Sequence, residues 1–202
     1  MFDELLAHPG VEEECVLRSR FGFLAFHGGS LERMTDTIAT AAAEASGASL
    51  YAVRQPPDLR WHIPSAEFDP RHSAALGAFL EHVDVAIAVH GYGRAGRFTS
   101  LLLGGRHREL AAHTATHLRP ALPDYDIVDD LDAIPPELRG LNPANPVNRP
   151  LAAGVQLELP PRVRGLGPWW DSRPFVGCSP HTASLIDGLT AAARSWPLDP
   201  SR

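Results

Sequence analysis

Lysine is missing from this 202-residue chain, so all 18 basic residues are arginine. Acidic residues outnumber them, giving a net charge of -6 and a pI near 5.9. No overall positive field therefore draws the protein to nucleic acid or to an anionic membrane. Cysteine is scarce. Cys15 and Cys178 stand far apart with no CxxC spacing, which argues against a disulfide framework and against a thiolate metal cage. No apolar run approaches the roughly 20 residues that a membrane-spanning helix needs. The opening segment, MFDELLAHPGVEEE, is acidic and has no basic stretch ahead of an apolar core, so it does not read as a secretory signal. The expectation is a cytoplasmic, monomeric protein with neither nucleic-acid nor membrane partners.

What remains is an ordinary globular composition, 44% hydrophobic and 21% charged, at a length suited to one domain spanning 1–202. The ten histidines invite a search for metal or acid–base chemistry.

Apolar runs and helical patterns alternate along the chain. FGFLAF (21–26) reads as a buried strand ended by His27-Gly28-Gly29. The Ala-rich stretch 30–46 reads as a helix, with Ser30 placed to cap it and Gly47 to stop it. Strands are expected at 49–53, 83–90, 99–105 and 154–160, and helices at 71–82, 106–119 and 181–196. Residues 120–150 hold seven of the 19 prolines and read mostly as loop. This order predicts an α/β fold, a single domain with a mixed, largely parallel sheet flanked by helices.

Two of the strands end in His-Gly, at His27 and at His90. Ligands gather at the carboxyl ends of strands in such sheets, so two histidines there can face one point. Glu32 follows His27 by five residues, and the intervening glycines let the chain turn back. Two His and one Glu make a known catalytic zinc set with a fourth position left for water. A histidine at a strand end also suits a polar residue where the core stops, and Glu32 also suits the first turn of a helix. The pattern alone leaves both open. On the strand GVQLELP, Gln156 and Glu158 share one face, which meets either solvent or a cleft. Arg94, Arg97, Arg106 and Arg108 cluster after His90 and form either an anion-binding patch or an ordinary exposed face. His107, His113 and His117 read as surface residues, and Trp169-Trp170 as packing or a cleft wall.

Several segments occur in order: FHGGSLERMT (26–35), SLYAV (49–53), HIPS (62–65), IAVHGYG (87–93), LLGGRHREL (102–110), LNPANPVNR (141–149) and GVQLELPPRVR (154–164). Together they resemble the poly-γ-glutamate hydrolase family over about residues 20–196. The resemblance implies a zinc-carboxypeptidase-like fold and one zinc ion per chain, with His27, Glu32 and His90 as ligands. It implies Glu158 as general base and Arg149 as a group contacting substrate carboxylate or oxyanion. His62, Asn148, Arg94 and Arg97 are then expected on the substrate side. The implied activity is metal-dependent hydrolysis of γ-glutamyl amide bonds in a small or polyanionic substrate. Two alternatives stand beside it: an N-acyl-amino-acid deacylase of the formylglutamate type, and a non-catalytic zinc-binding protein of the same fold.

Overall fold

A computed structural model describes residues 1–167 and 178–198. Seven strands form one sheet in the order β1 (Glu12–Val16), β3 (Ser49–Gln55), β2 (Phe21–Gly29), β4 (Val85–Gly91), β7 (Gly154–Leu159), β5 (Ser100–Leu103) and β6 (Asp126–Val128). The centre is parallel, with β3–β2, β2–β4 and β4–β7 side by side. β1 and β5 enter antiparallel, and β6 pairs parallel to β5. The expected mixed, largely parallel α/β sheet is the one observed.

Both faces of the sheet are covered, which explains why its central strands read as unbroken apolar runs. Phe21, Phe23 and Ala25 of β2 face one core together with Ile38, Ala39 and Ala42 of α2 (Thr35–Ser46). The same core receives Leu110 and Leu118 of α4 (Arg108–Ala121) and Leu185 and Leu189 of α5 (Pro180–Ser195). The alternate residues Leu24 and Phe26 face a second core, closed by Phe2 and Leu5 of α1 (Phe2–Leu6) and by Leu76 and Phe79 of α3 (Ala74–His82). Burying each of these large side chains contributes about 1.5–3 kcal/mol.

The helix expected over 30–46 begins only at Thr35. The Ser30 hydroxyl donates to the Leu59 carbonyl and so is not available as a cap. Between them the chain turns back on the strand end, with the Glu32 N–H donating to the His27 carbonyl at 2.8 Å. Met34 closes this turn in the left-handed region at φ 75°. That conformation costs a non-glycine residue about 1 kcal/mol. Glu32 therefore sits in a tight turn beside His27 and not on the helix. The loop at 120–150 also holds a short strand, β6, and three short 3₁₀ turns.

Candidate active site

The site forms where β2, β4 and β7 end. β4 and β7 run parallel with His90 directly beside Glu158 and Ala88 beside Gln156. Strand alternation puts Val89 and Leu157 in the first core. It turns His90, Gln156 and Glu158 to the opposite face. In β2 the register with β3 slips between Ala25 and Gly28. A bulge of this kind re-aims the side chain it carries. The His27 ring lies 5.2 Å from that of His90, 4.7 Å from that of His62 and 5.6 Å from Phe68.

Glu32 joins the two histidines. Its Oε1 is 2.8 Å from His27 Nδ1 and its Oε2 is 3.5 Å from His90 Nδ1. Oε2 also accepts the Gly91 N–H at 2.8 Å. His27 Nε2 lies 2.9 Å from the Ile63 carbonyl. A carbonyl only accepts, so Nε2 carries a hydrogen and donates. The neutral ring then presents a lone pair at Nδ1, aimed at a carboxylate oxygen that is itself an acceptor. Two acceptors at 2.8 Å need a cation between them, either a proton or a metal ion. His90 Nε2 is a further buried ring nitrogen with no hydrogen-bond partner among the described residues. Two imidazoles and one carboxylate that together call for a cation fit a divalent metal of the zinc type.

The ligand atoms of His27, Glu32 and His62 all lie within 4.8 Å of one another. His90 reaches the same carboxylate from the other side. His62, expected to face substrate, is exposed and stands as near the centre as the expected ligands.

The electrostatics are polarised. Burial works against the Glu32 carboxylate, yet the charges and hydrogen bonds of His27 and His90 outweigh it and hold Glu32 well below the usual carboxylate range. Burial pushes Glu158 up, against the opposing influence of His90. The buried His90 ring would be pushed down by desolvation, but Glu32 raises it above the ordinary histidine value. Burial lowers His62, with His27 adding to the shift. Glu32 and Glu158 are thus shifted in opposite directions by their surroundings.

A cavity of about 530 Å³ opens over these groups, lined by His27, Glu32, His62, His90, Gln156 and Glu158 among others. Of the residues expected to meet substrate, His62 lines the cavity and the others stand elsewhere. Arg149 is exposed and does not line the cavity. Asn148 is buried in the 3₁₀ turn Pro146–Asn148. Its amide donates to the Gly140 and Asn142 carbonyls at 2.6 and 2.9 Å, and its Oδ1 accepts the Arg106 N–H at 3.0 Å. Those bonds tie down the loop that forms one cavity wall. Arg94 pairs with Glu137 on the rim, and Arg97 reaches the Ala133 carbonyl. Arg108 is held by backbone carbonyls at 103, 104, 105 and 129. No arginine lines the cavity among the described residues. His113 and His117 share the Ser195 hydroxyl on the far surface, and Trp169-Trp170 lie outside the described residues.

One contributor escaped the sequence analysis. Arg164 is buried, and its guanidinium donates to the Arg33 carbonyl at 2.9 Å and to the Tyr92 carbonyl at 3.5 Å. It thereby ties the segment that follows Glu32 to the one that follows His90. Gly91 makes room for it, since a Cβ there would stand 2.6 Å from the guanidinium. The signal was present in the segment GVQLELPPRVR, six residues past Glu158, but an arginine in a turn does not reveal its burial.

Among the described residues no helix is long and apolar enough to cross a membrane.

Comparison with known proteins points the same way. A family model described as poly-gamma-glutamate hydrolase matches residues 2–166. Among solved structures, a bacteriophage poly-gamma-glutamate hydrolase aligns at 21% identity and a TM-score of 0.74, covering 90% of this chain and 87% of that one. A zinc-free apo form of a protein called YNDL aligns at 21% identity and a TM-score of 0.75, covering 92% of this chain and 90% of that one. A putative carboxypeptidase from Burkholderia mallei shares 11% identity at a TM-score of 0.54, over 96% of this chain and 66% of its own length. No curated protein matches. At these identities the structural likenesses show the fold.

Proposed function

The chain belongs to the poly-γ-glutamate hydrolase family, and from that premise we propose that it is a zinc-dependent amidohydrolase that cleaves γ-glutamyl amide bonds. It is a hydrolase of amide bonds on a carboxypeptidase-like fold. The observation that carries the finer reading is the Glu32 carboxylate held between His27 and His90, with Glu158 beside His90 on the same cavity.

In this reading His27, Glu32 and His90 hold one zinc ion. When bound there, zinc supplies Lewis acidity that polarises the scissile carbonyl and lowers the pKa of water to about 7. Glu158 takes the proton from the attacking water. Burial raises its pKa above the ordinary glutamate value, the direction that suits a group that must accept a proton and then release it to the departing amine. The Ile63 carbonyl fixes the His27 ring and the Gly91 N–H fixes Glu32, so neither turns away when the site loads. His62, at the exposed mouth, faces the incoming amide. The arginines outside the cavity would meet carboxylates of a polyanion only beyond the scissile unit.

The test is hydrolysis of poly-γ-glutamate, small γ-glutamyl amides and N-formylglutamate, each with and without a chelator. The expected result is release of γ-linked glutamate or its amide partner, abolished by chelation and restored by about one equivalent of zinc per chain. Hydrolysis indifferent to chelation contradicts the metal reading. Turnover confined to N-formylglutamate favours the deacylase.

A further inference from the structure

Two buried amides line the cavity beside Glu158, and neither has a part in the chemistry described above. Asn145, Gln156 and Glu158 are 2%, 6% and 4% exposed. We infer that Asn145 and Gln156 form a directional relay that sets the orientation of the Glu158 carboxylate. The inference rests on Glu158 acting as the base.

The direction of the relay follows from the backbone outward. The Val147 N–H donates to Asn145 Oδ1 at 3.3 Å, which turns the Asn145 amide nitrogen the other way. That nitrogen donates to Gln156 Oε1 at 2.8 Å. With Oε1 so engaged, Gln156 Nε2 faces the Glu158 Oε1 at 2.8 Å and the Leu138 carbonyl at 3.4 Å, both of them acceptors. Each link admits only one donor, so a backbone N–H in the 3₁₀ turn dictates which atom meets the carboxylate. Gly140 is part of the device, for a Cβ there would stand 2.5 Å from Gln156 Oε1. The relay pins Oε1 of Glu158, a residue that lines the cavity. A base that rotates freely spends time in unproductive geometries, and a misplacement of about 1 Å costs on the order of a hundredfold in rate. Asn145 and Gln156 are positioning residues.

The relay predicts an unusual order of damage. Asn145→Asp keeps the shape of the side chain and still accepts from Val147. It cannot donate to Gln156. Gln156 then stands between two carboxylates: either its oxygen opposes residue 145, or its amide turns over and the oxygen opposes Glu158, acceptor against acceptor in both cases. Asn145→Ala removes the anchor but lets Gln156 keep donating to Glu158. If these residues only supported the loop, the isosteric Asp would be the milder change.

The measurement is kcat and KM for zinc-loaded wild type, Asn145→Asp, Asn145→Ala and Glu158→Gln on one γ-glutamyl amide, with zinc content and Tm for each. The expected result is a kcat loss of roughly tenfold to a hundredfold for Asn145→Asp, exceeding that of Asn145→Ala, at unchanged KM and zinc content. Asn145→Ala should show the larger fall in Tm. Equal or greater loss in the Ala variant, or a rise in KM with kcat intact, overturns the relay. Glu158→Gln separates the two layers: if that variant turns over normally the base assignment itself fails, whereas an inactive Glu158→Gln beside an unimpaired Asn145→Asp removes the relay alone.

Discussion

Glu158→Gln is expected to bind zinc like the wild type and to lose turnover by about a hundredfold to ten-thousandfold, the usual contribution of a positioned acid–base group. The substitution is nearly isosteric. The Gln156 amine donates to Glu158 Oε1, and a glutamine oxygen at that place accepts the same bond. The strand pairing of β4 with β7 does not involve the side chain. What disappears is the basic oxygen, and with it the route that the proposed mechanism gives the proton from water to the leaving amine. Elemental analysis and steady-state kinetics on the same preparation check both halves. Loss of zinc together with activity would make residue 158 a ligand in place of a base.

His27→Ala is expected to reduce bound zinc to background and to destabilise the metal-free protein by about 2–4 kcal/mol at neutral pH. Truncating a buried ring leaves a cavity. It also strips Glu32 of one of its two partners at 2.8 Å, in a site where a poorly paired carboxylate is costly. The pH dependence of this difference has a definite sign. Glu32 is depressed in the folded protein, so its partners stabilise the fold above the ordinary glutamate range, near pH 4.3. That contribution fades as the pH falls further and the carboxyl is protonated in the folded state too. Urea unfolding of chelated wild type and His27→Ala should therefore show a gap that is present above the ordinary glutamate range and narrows as the pH falls below it. A gap independent of pH would mean that the ring acts through packing alone.

The strand ends, the two His-Gly corners and the Ala-rich helix were legible because they depend on local pattern. Unbroken apolar runs at β2 and β4 announced strands buried on both faces. Strand β1 was not legible. Its Glu12-Glu13-Glu14 run lies on an edge with one antiparallel neighbour, where charge is tolerated and alternation is lost. The helix start at Thr35 was also hidden, because the Ser30 hydroxyl finds its acceptor 29 residues away and not in the next turn. Glu32 was placed correctly as a partner of His27 and incorrectly as a helix residue. The arginines show where pattern ends. Arg94, Arg97, Arg106 and Arg108 read either as an anion-binding patch or as an ordinary exposed face, and Arg164 as nothing in particular. Which arginine becomes buried and which finds a rim carboxylate is decided by contacts between distant segments. The same holds for Asn145 and Gln156, joined across eleven residues by loop geometry that no periodicity records.

Anomalous scattering at the zinc edge from crystals of the metal-loaded protein tests the central claim most directly. The account predicts one peak per chain, about 2.0–2.2 Å from nitrogens of His27 and His90 and from a Glu32 oxygen, with Glu158 facing it unligated. A peak held by His62 in place of His90, or no peak between residues 27 and 32 at full zinc loading, contradicts it.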